Sequence, residues 1–212
     1  MKRLLIVGAG GFGREIFHWL GHHPESGSKW RIGGFLDDNA SALGGFDYTP
    51  GIVGSIKDWL PGPEDIFVCA LGQPKAKRAV VEQLRAKGAR FLTFIAQGAR
   101  LGGNISIGEG SVICPGAIIS ADIKLGEFVT VNMCSTIGHD ARLANFVTLN
   151  SHCDVTGFCQ IGTGALLGTH ACMIPHTTVG EWSVVGAGAT VFTSVAADTS
   201  VIGNPARVFF GK

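Results

Sequence analysis

A histidine followed directly by an aspartate, His139-Asp140, is the pair of side chains in this sequence best suited to acid–base chemistry. Histidine accepts a proton near neutral pH, as a general base must when an amine or hydroxyl attacks an acyl group. A neighbouring carboxylate orients the ring and stabilises the imidazolium that forms. The pair is therefore a candidate base for acyl transfer, and the alternative is an ordinary surface histidine.

Glycines form a second candidate site near the start of the chain, where residues 8–13 read GAGGFG and match G-x-G-x-x-G. The motif lies between a short apolar run, Leu4–Val7, and a segment with helical spacing that begins at Arg14. In such a loop the glycines allow a tight turn, and the first amides of the helix face a phosphate. The alternative is that the glycines serve only to pack the helix against the strand.

Residues at the ends of two later predicted strands would adjoin this loop. Asp37 and Asp38 end the second strand, where a carboxylate accepts hydrogen bonds from a nucleotide, and Gly72 follows the third strand. A complete dinucleotide-binding domain needs two βαβαβ halves, and this segment is too short for both. The pattern therefore favours a nucleoside diphosphate conjugate over NAD, and an NAD-dependent reductase would rest on the glycine loop alone.

The elements that position these residues fall into two parts with different periods. Up to residue 97, short apolar runs alternate with two helical segments, which is typical of a small parallel sheet covered by helices. We expect residues 1–97 to form a Rossmann-like α/β domain and residues 98–212 to form a second domain. The predicted strands and helices of the first domain are Leu4–Val7, Arg14–His22, Arg31–Leu36, Ile66–Ala70, Lys75–Lys87 and Phe91–Ile95.

From Leu101 the chain repeats every six residues, and a hexad repeat predicts a parallel β-helix. Every sixth position is aliphatic or Met, and small or β-branched residues form a second column four positions later. Three hexads, or 18 residues, make one turn, and stacked strands lie about 4.8 Å apart. The first column is Leu101, Ile107, Ile113, Ile119, Leu125, Val131, Ile137, Leu143, Leu149, Val155, Ile161, Leu167, Met173, Val179, Val185 and Val191.

This spacing predicts which residues lie beside one another. Gly157 lies one turn after His139, where its N–H would face charge that develops on a thioester carbonyl oxygen. Ser151, Thr169 and Ala187 stack at another corner and stay small, which would leave a groove for a pantetheine arm. The alternative for that column is that the corners of any β-helix favour small residues.

Four histidines of the repeat raise the question of a metal. Zinc sites of left-handed β-helix carbonic anhydrases use two histidines five residues apart, whereas His170 and His176 are six apart. His152 and His170 are 18 apart, so we expect them to stack at one corner as exposed residues or trimer contacts. The spacing therefore argues against zinc, and no metal is expected.

Composition further restricts the classes of binding partner that we expect. The net charge is +1 and the cationic residues form no long run, so nucleic acid and membrane surfaces are not expected partners. None of the six cysteines forms a C-x-x-C pair, and Cys153 and Cys159 fall in the small-residue column, so we expect reduced core thiols. The apolar run at the start is too short for a signal peptide, which favours a cytoplasmic protein.

Together these features resemble the hexapeptide-repeat sugar acyltransferases, the branch with sialic acid O-acetyltransferases and bacterial nucleotide-aminosugar N-acetyltransferases of the bacillosamine and perosamine kind. The likeness covers nearly the whole chain. It is carried by GAGGFG at 8–13, GFLDD at 34–38, ALG at 70–72, His139-Asp140, the hexads and GNPAR at 203–207.

The resemblance implies a left-handed β-helix, a homotrimer with sites between neighbouring copies, and acetyl-CoA as the acyl donor. It implies that the first domain holds a nucleotide-linked aminosugar, and that His139 is the base with Asp140 as its partner. Further implied contacts to the sugar nucleotide are Gly10, Gly11, Phe12, Asp37, Asp38, Gly72 and Asn132, and those to acetyl-CoA are Thr148, Gly157, Thr169 and Ala187. Some relatives carry histidine where Phe12 and Thr148 stand.

The predicted activity is therefore acetyl-CoA-dependent N-acetylation of a nucleotide-linked aminosugar, a 4-amino-4,6-dideoxyhexose, by direct attack of the amine. An O-acetyltransferase acting on sialic acid or a related sugar needs the same base, so the β-helix does not separate the two. A non-catalytic trimeric protein that binds sugar nucleotides is the alternative from another class.

Overall fold

The structure, a computed structural model, describes residues 1–210. The chain divides into two compact units, the first covering Met1–Leu92 and the second beginning at Thr93. This division lies a few residues before the boundary at 97 that the hexad pattern predicts. The reason is that the coil begins before the first recognisable hexad.

The first unit is a four-stranded parallel sheet with two helices, and its strand order is β3-β2-β1-β4. The central strand β1 is fully buried from Leu4 to Val7, because a parallel sheet covered by helices leaves no solvent-facing side. Its elements are β1 (Lys2–Val7), α1 (Gly11–Gly21), β2 (Trp30–Leu36), β3 (Ile52–Gly54), β4 (Asp65–Cys69) and α2 (Pro74–Ala86).

Helices α1 and α2 pack through narrow apolar stripes. Ile16 and Leu20 of α1 are buried at helical spacing, and so are Val81 and Leu84 of α2. Proline at the first turn of α2 is compatible with the helix, because the amide that proline lacks has no intrahelical acceptor there. The helices start directly after β1 and β4, which places both N-termini at the carboxyl edge of the sheet.

One strand prediction for this unit is wrong, and one strand was not predicted. The predicted strand Phe91–Ile95 is split, since Phe91 forms a single bridge with Phe67 while Phe94–Ile95 pairs with Val112–Ile113 of the second unit's coil. The sequence reading also missed β3, which has only three residues and no apolar run to mark it.

The second unit is a parallel β-helix, as the hexads predict, and it is left-handed, as the resemblance implies. Its strands, which are two residues long up to β21, form three sheets of five, six and eight strands. They are β5 (Phe94–Ile95), β6 (Arg100–Leu101), β7 (Ser106–Ile107), β8 (Val112–Ile113), β9 (Ile118–Ile119), β10 (Lys124–Leu125), β11 (Thr130–Val131), β12 (Thr136–Ile137), β13 (Arg142–Leu143), β14 (Thr148–Leu149), β15 (Asp154–Val155), β16 (Gln160–Ile161), β17 (Leu166–Leu167), β18 (Cys172–Met173), β19 (Thr178–Val179), β20 (Val184–Val185), β21 (Thr190–Val191), β22 (Ser200–Ile202) and β23 (Arg207–Phe210).

Strand pairing follows the predicted turn of 18 residues, as in Thr136↔Asp154 and Asp154↔Cys172. The aliphatic column is buried from Ile113 to Val191, while Leu101 at the first turn is 38% exposed. The column of small residues is also buried, including Cys153 and Cys159. The repeat therefore fills the interior of the coil with one aliphatic and one small side chain per face.

From Gly98 to Gly188, a residue with a left-handed backbone recurs at every sixth position, at the corners of the coil. Glycine or Asn/Asp is the usual occupant of this conformation, yet several corners hold an aromatic ring or an imidazole. Asp140, His152, Phe158 and His176 have φ values of 61°, 60°, 61° and 64°. These corners place polar and aromatic side chains on the outside of the coil in vertical columns.

The coil ends after β22, where the tail GNPAR turns and β23 runs back antiparallel to it. Within the residues that the structure describes, neither helix has the length and apolar composition needed to cross a membrane.

Candidate active site

The His139-Asp140 pair lies on the corner that follows β12. His139 Nδ1 lies 3.0 Å from Asp140 Oδ2, and both side chains are partly exposed. The carboxylate accepts the Nδ1–H hydrogen bond, which leaves the lone pair on Nε2. This arrangement is the one that a general base requires, with the basic nitrogen open to an incoming nucleophile.

Gly157 lies directly beside the imidazole, one turn further along the coil. A Cβ atom on Gly157 would lie 2.8 Å from Cε1 and 2.9 Å from Nε2 of His139, closer than real contacts allow. The residue is buried, because the imidazole lies across it. Residue 157 must therefore be glycine for the His139 imidazole to occupy this position.

The backbone around Gly157 is tied to the neighbouring turns. Phe158 N–H donates to His139 O at 3.0 Å, and His176 N–H donates to Gly157 O at 3.2 Å. Among the residues 1–210, no acceptor faces the N–H of Gly157 itself. This amide thus remains a free donor in a fixed position next to the candidate base.

The other residues implied for the acyl donor lie elsewhere in the chain. Ser151, Thr169 and Ala187 occupy the corner before the six-stranded sheet, while His139 and Gly157 occupy the corner after it. The side chain of Thr148 is 1% exposed on β14, in the eight-stranded sheet. A single copy of the chain therefore does not bring this set together.

Asn132 lies at the same corner as Ser151. Its side-chain oxygen accepts the N–H of Met133 at 2.7 Å, so it is held by its own turn. The structure does not bring Asn132 to the His139 corner, and its implied contact with the sugar stays a prediction.

The remaining histidines of the coil divide into two groups. His152 and His170 stack with centroids 4.8 Å apart and are both exposed, as the 18-residue spacing predicts. His176 instead stacks on Phe158, whose ring is perpendicular to that of His139. The stacking of His176 on Phe158 was not predicted, although these two residues are also 18 apart and follow Asp140 in the same column. In the described part of the chain, no three His, Cys, Asp or Glu side chains converge as metal ligands would.

In the first unit the glycines of the loop have two different roles. A Cβ atom on Gly13 would lie 2.0 Å from Gly8 O, and Gly8 has a φ of 101°. These two glycines let α1 pack tightly against the end of β1. By contrast, a Cβ atom on Gly10 or Gly72 would meet nothing within 4 Å. Packing of the helix on the strand thus accounts for Gly8 and Gly13, while phosphate binding at the open Gly10 stays a prediction.

Asp37 fixes the loop from the neighbouring strand. Its Oδ2 accepts the N–H of Ala9 at 2.8 Å, and its Oδ1 accepts that of Asn39 at 2.9 Å. Asp38 Oδ1 accepts the N–H of Lys57 at 3.0 Å and is otherwise exposed. The carboxylates therefore shape the edge of the sheet where the sequence predicts a nucleotide site.

Two side chains of α1 flank the open glycines. Phe12 packs edge-on against Trp19, with centroids 6.4 Å apart. The guanidinium of Arg14 lies 3.6 Å above the ring of Phe46, and one of its nitrogens lies 4.0 Å from a Cβ built on Gly11. Sequence reasoning missed Arg14, because the ring that holds it is 32 residues away.

Comparison with known proteins agrees with this two-part architecture. Residues 3–84 match the family model of the PglD N-terminal domain. Among curated proteins, no sequence matches the chain.

Solved structures match over the full length. WeeI from Acinetobacter baumannii AYE is 28% identical with a TM-score of 0.88, covering 99% of this chain and 100% of its own. The acetyltransferase domain of PglB from Neisseria gonorrhoeae FA1090, in complex with acetyl coenzyme A, is 29% identical with a TM-score of 0.85. The match covers 98% of this chain and 99% of the PglB domain. PerB from Caulobacter crescentus, in complex with CoA and GDP-perosamine, is 23% identical with a TM-score of 0.86. The match covers 99% of this chain and 98% of PerB, and it supports the fold. Residues 3–84 of the chain thus match a PglD N-terminal domain, a left-handed β-helix follows it, and over its full length the chain is similar to WeeI and to the acetyltransferase domain of PglB.

Proposed function

We propose that this chain transfers the acetyl group of acetyl-CoA to the amino group of a nucleotide-linked aminosugar, a 4-amino-4,6-dideoxyhexose. The observation that carries the proposal is the His139 imidazole, held by Asp140 at Nδ1 and lying across Gly157. This geometry supplies a base and a free backbone donor side by side, which acyl transfer to an amine requires. The acetyl-CoA bound to the PglB domain supports the donor.

The reaction proceeds by direct attack. The sugar amine forms a bond to the thioester carbonyl carbon while Nε2 of His139 takes its proton. The Gly157 N–H faces the carbonyl oxygen as negative charge develops on it. The C–S bond then breaks, and CoA leaves as the thiol after taking a proton. Asp140 stabilises the imidazolium between these proton transfers.

A homotrimer accounts for the dispersed donor residues. Thr169 and Ala187 lie across the six-stranded sheet from His139, so one chain alone cannot present both to the same thioester. In the proposed assembly, this corner of one copy faces the His139 corner of the next, and acetyl-CoA lies between them. Thr148 is buried in the single chain, so it contributes to this site only through its neighbours.

The sugar nucleotide occupies the first unit in this proposal. Gly10, Gly11 and Gly72 leave open backbone at the carboxyl edge of the sheet, where α1 begins. Helix N-terminal amides and a nearby guanidinium, that of Arg14, suit a diphosphate. Asp37, Asp38 and Phe12 border this loop. The GDP-perosamine bound to PerB is a ligand of the same chemical class.

The test is a thiol-release assay with acetyl-CoA across UDP-, GDP- and dTDP-linked aminosugars. We expect His139→Asn to lower kcat by about 10²–10⁴-fold, the usual contribution of a general base. His22→Asn, at an exposed histidine after α1, is the matched control and keeps full activity. Release with free sialic acid and with none of the nucleotide sugars would instead assign O-acetylation.

A further inference from the structure

Phe158 is an aromatic residue at a corner where its backbone conformation disfavours one. Its φ is 61°, a region that bulky side chains rarely adopt, and its side chain is 44% exposed. Burial in the coil interior therefore does not account for this residue. Its ring contacts give another reason for its presence.

The ring of Phe158 meets the imidazole of the candidate base. The two centroids lie 5.1 Å apart with an angle of 88° between the planes, the edge-to-face geometry that aromatic pairs prefer. The N–H of Phe158 also donates to His139 O at 3.0 Å. His139 thus contacts Asp140 at Nδ1, the backbone of Gly157 near Cε1 and Nε2, and the ring of Phe158.

A second ring holds Phe158 from the next turn. His176 stacks on it with centroids 4.7 Å apart and planes 5° from parallel. The backbone of His176 is bound to the same turn, since its N–H donates to Gly157 O. His139, Phe158 and His176 thus form a ladder of three rings, which we name the corner ladder.

We propose that Phe158 is a positioning residue for His139 and that His176 supports it through stacking. The inference rests on the proposed function, in which His139 is the base. The imidazole has two ways to face Asp140, differing by a flip of the ring, and an exposed side chain would sample other rotamers as well. The perpendicular ring of Phe158 keeps the Nδ1 edge toward Asp140 and the Nε2 edge open.

The chain contains a matched comparison at another corner. Phe146 has the same position in the repeat and the same φ of 61°, and it stacks on Phe128 with centroids 5.4 Å apart. It is 9% exposed, and the ring that stacks on it is a phenyl group and not an imidazole. Phe146→Leu therefore removes a corner ring without touching the candidate base.

The test compares Phe158→Leu, Phe158→Tyr and Phe146→Leu in the full chain. We expect Phe158→Leu to lower kcat by about three- to tenfold at unchanged KM for acetyl-CoA, the scale of one aromatic pair. Phe158→Tyr keeps the ring and keeps kcat within about twofold. Phe146→Leu leaves kcat unchanged, whatever it does to the melting temperature.

Nuclear magnetic resonance of ¹⁵N-labelled histidine gives a readout that does not depend on turnover. The unliganded protein should show His139 as the Nδ1–H tautomer, and Phe158→Leu should mix the two tautomers, while Phe146→Leu should not. If the wild-type chain releases no thiol with any aminosugar, the proposed function fails, and the tautomer experiment alone decides on Phe158.

Three results would overturn the inference. The first is a Phe158→Leu variant with wild-type kcat and an unchanged His139 tautomer. The second is a loss expressed as a raised KM for acetyl-CoA, which would make Phe158 a ligand contact. The third concerns His176→Phe, which keeps the stack and should keep kcat within about twofold. A larger loss would show that His176 acts through its nitrogens.

Discussion

The imidazole of His139 lies across the backbone of Gly157, so close that a single added carbon atom at residue 157 would contact Cε1 at 2.8 Å. The backbone of Gly157 is not left-handed, so alanine fits its conformation. Gly157→Ala therefore moves the ring and leaves the coil intact. We expect kcat to fall by about 10- to 100-fold, the cost of a displaced catalytic group, with little change in melting temperature.

Gly103→Ala is the control for this substitution. Gly103 occupies the same corner column three turns before Gly157, and a Cβ atom there would meet nothing within 4 Å. Ala121 stands between them in this column, which shows that the corner accepts a methyl group. Steady-state kinetics with equal loss in both variants would contradict the role given to Gly157.

The carboxylate of Asp140 can be removed without disturbing the corner. Asp140→Asn keeps the shape of the side chain, and asparagine tolerates the φ of 61° well. The amide has no negative charge to stabilise the imidazolium, so we expect kcat to fall by about 10- to 100-fold. Because the side chains of His139 and Asp140 are both partly exposed, we expect a smaller loss of kcat than for a buried pair.

Asp122→Asn is matched to that variant. Asp122 lies one turn earlier with the same φ of 61° and is hydrogen-bonded to Asn104. Removing the charge of Asp122 should leave kcat unchanged. Similar kinetic losses in the two variants would mean that charge along this column matters, and not the specific pair with His139.

The extent to which sequence could predict these features differs between the two units. In the coil, a period of six residues sets both strand register and burial, so the stacked His152 and His170 follow from arithmetic. In the first unit β3 has three residues and no periodic signal. The ring of His139 over Gly157 depends on a side-chain rotamer, and the placement of Arg14 on Phe46 depends on a long loop. Neither has a local pattern in the sequence.

The glycine loop allows binding and folding to be separated. Gly10 has an extended backbone with φ −70°, and its Cβ would project into open space, so Gly10→Ala should fold normally. If the diphosphate lies on this backbone, the methyl group should weaken nucleotide binding by about tenfold or more. Calorimetry with UDP, GDP and dTDP measures this, and CoA binding should be unaffected.

Gly13→Ala should give the opposite result. Its Cβ would lie 2.0 Å from Gly8 O, so β1 and α1 must separate, at a cost of about 3 kcal/mol. Denaturant unfolding reports this loss. A Gly10→Ala variant that binds nucleotides as tightly as the wild-type chain would remove the loop from the proposed site.

Asp65 links the stability of the first unit to pH. Its carboxylate is 3% exposed and accepts hydrogen bonds from Arg3 at 2.6 and 3.0 Å, from Gly62 N–H and from Trp59 Nε1. Burial alone would raise the pKa of Asp65, but the hydrogen bonds from Arg3, Gly62 and Trp59 outweigh it and hold the pKa below its usual value.

A lowered folded-state pKa stabilises the fold above the unfolded-state pKa, which is about 3.9, and this contribution is lost as the pH falls through the folded value. Urea unfolding at pH 6 and at pH 3 should therefore show a loss in the wild-type chain. Asp65→Asn should be less stable at pH 6 by about 2–4 kcal/mol, because it leaves Arg3 unpaired. Between pH 6 and pH 3, the variant should also lose less stability than the wild-type chain. An equal loss of stability in both would exclude Asp65 as the titrating group.

Cysteine reactivity tests the interior of the coil. Burial raises the pKa of Cys153 to about 12, and its thiol donates a hydrogen bond to Gly168 O at 3.1 Å. Cys134, at a corner of the same coil, is exposed. Since the thiolate is the reactive form, iodoacetamide at pH 8 should alkylate Cys134 more than about a hundredfold faster than Cys153. Mass spectrometry of the native and urea-unfolded chain measures both rates, and Cys153 labelling as fast as Cys134 in the native chain would contradict the packing of the small-residue column.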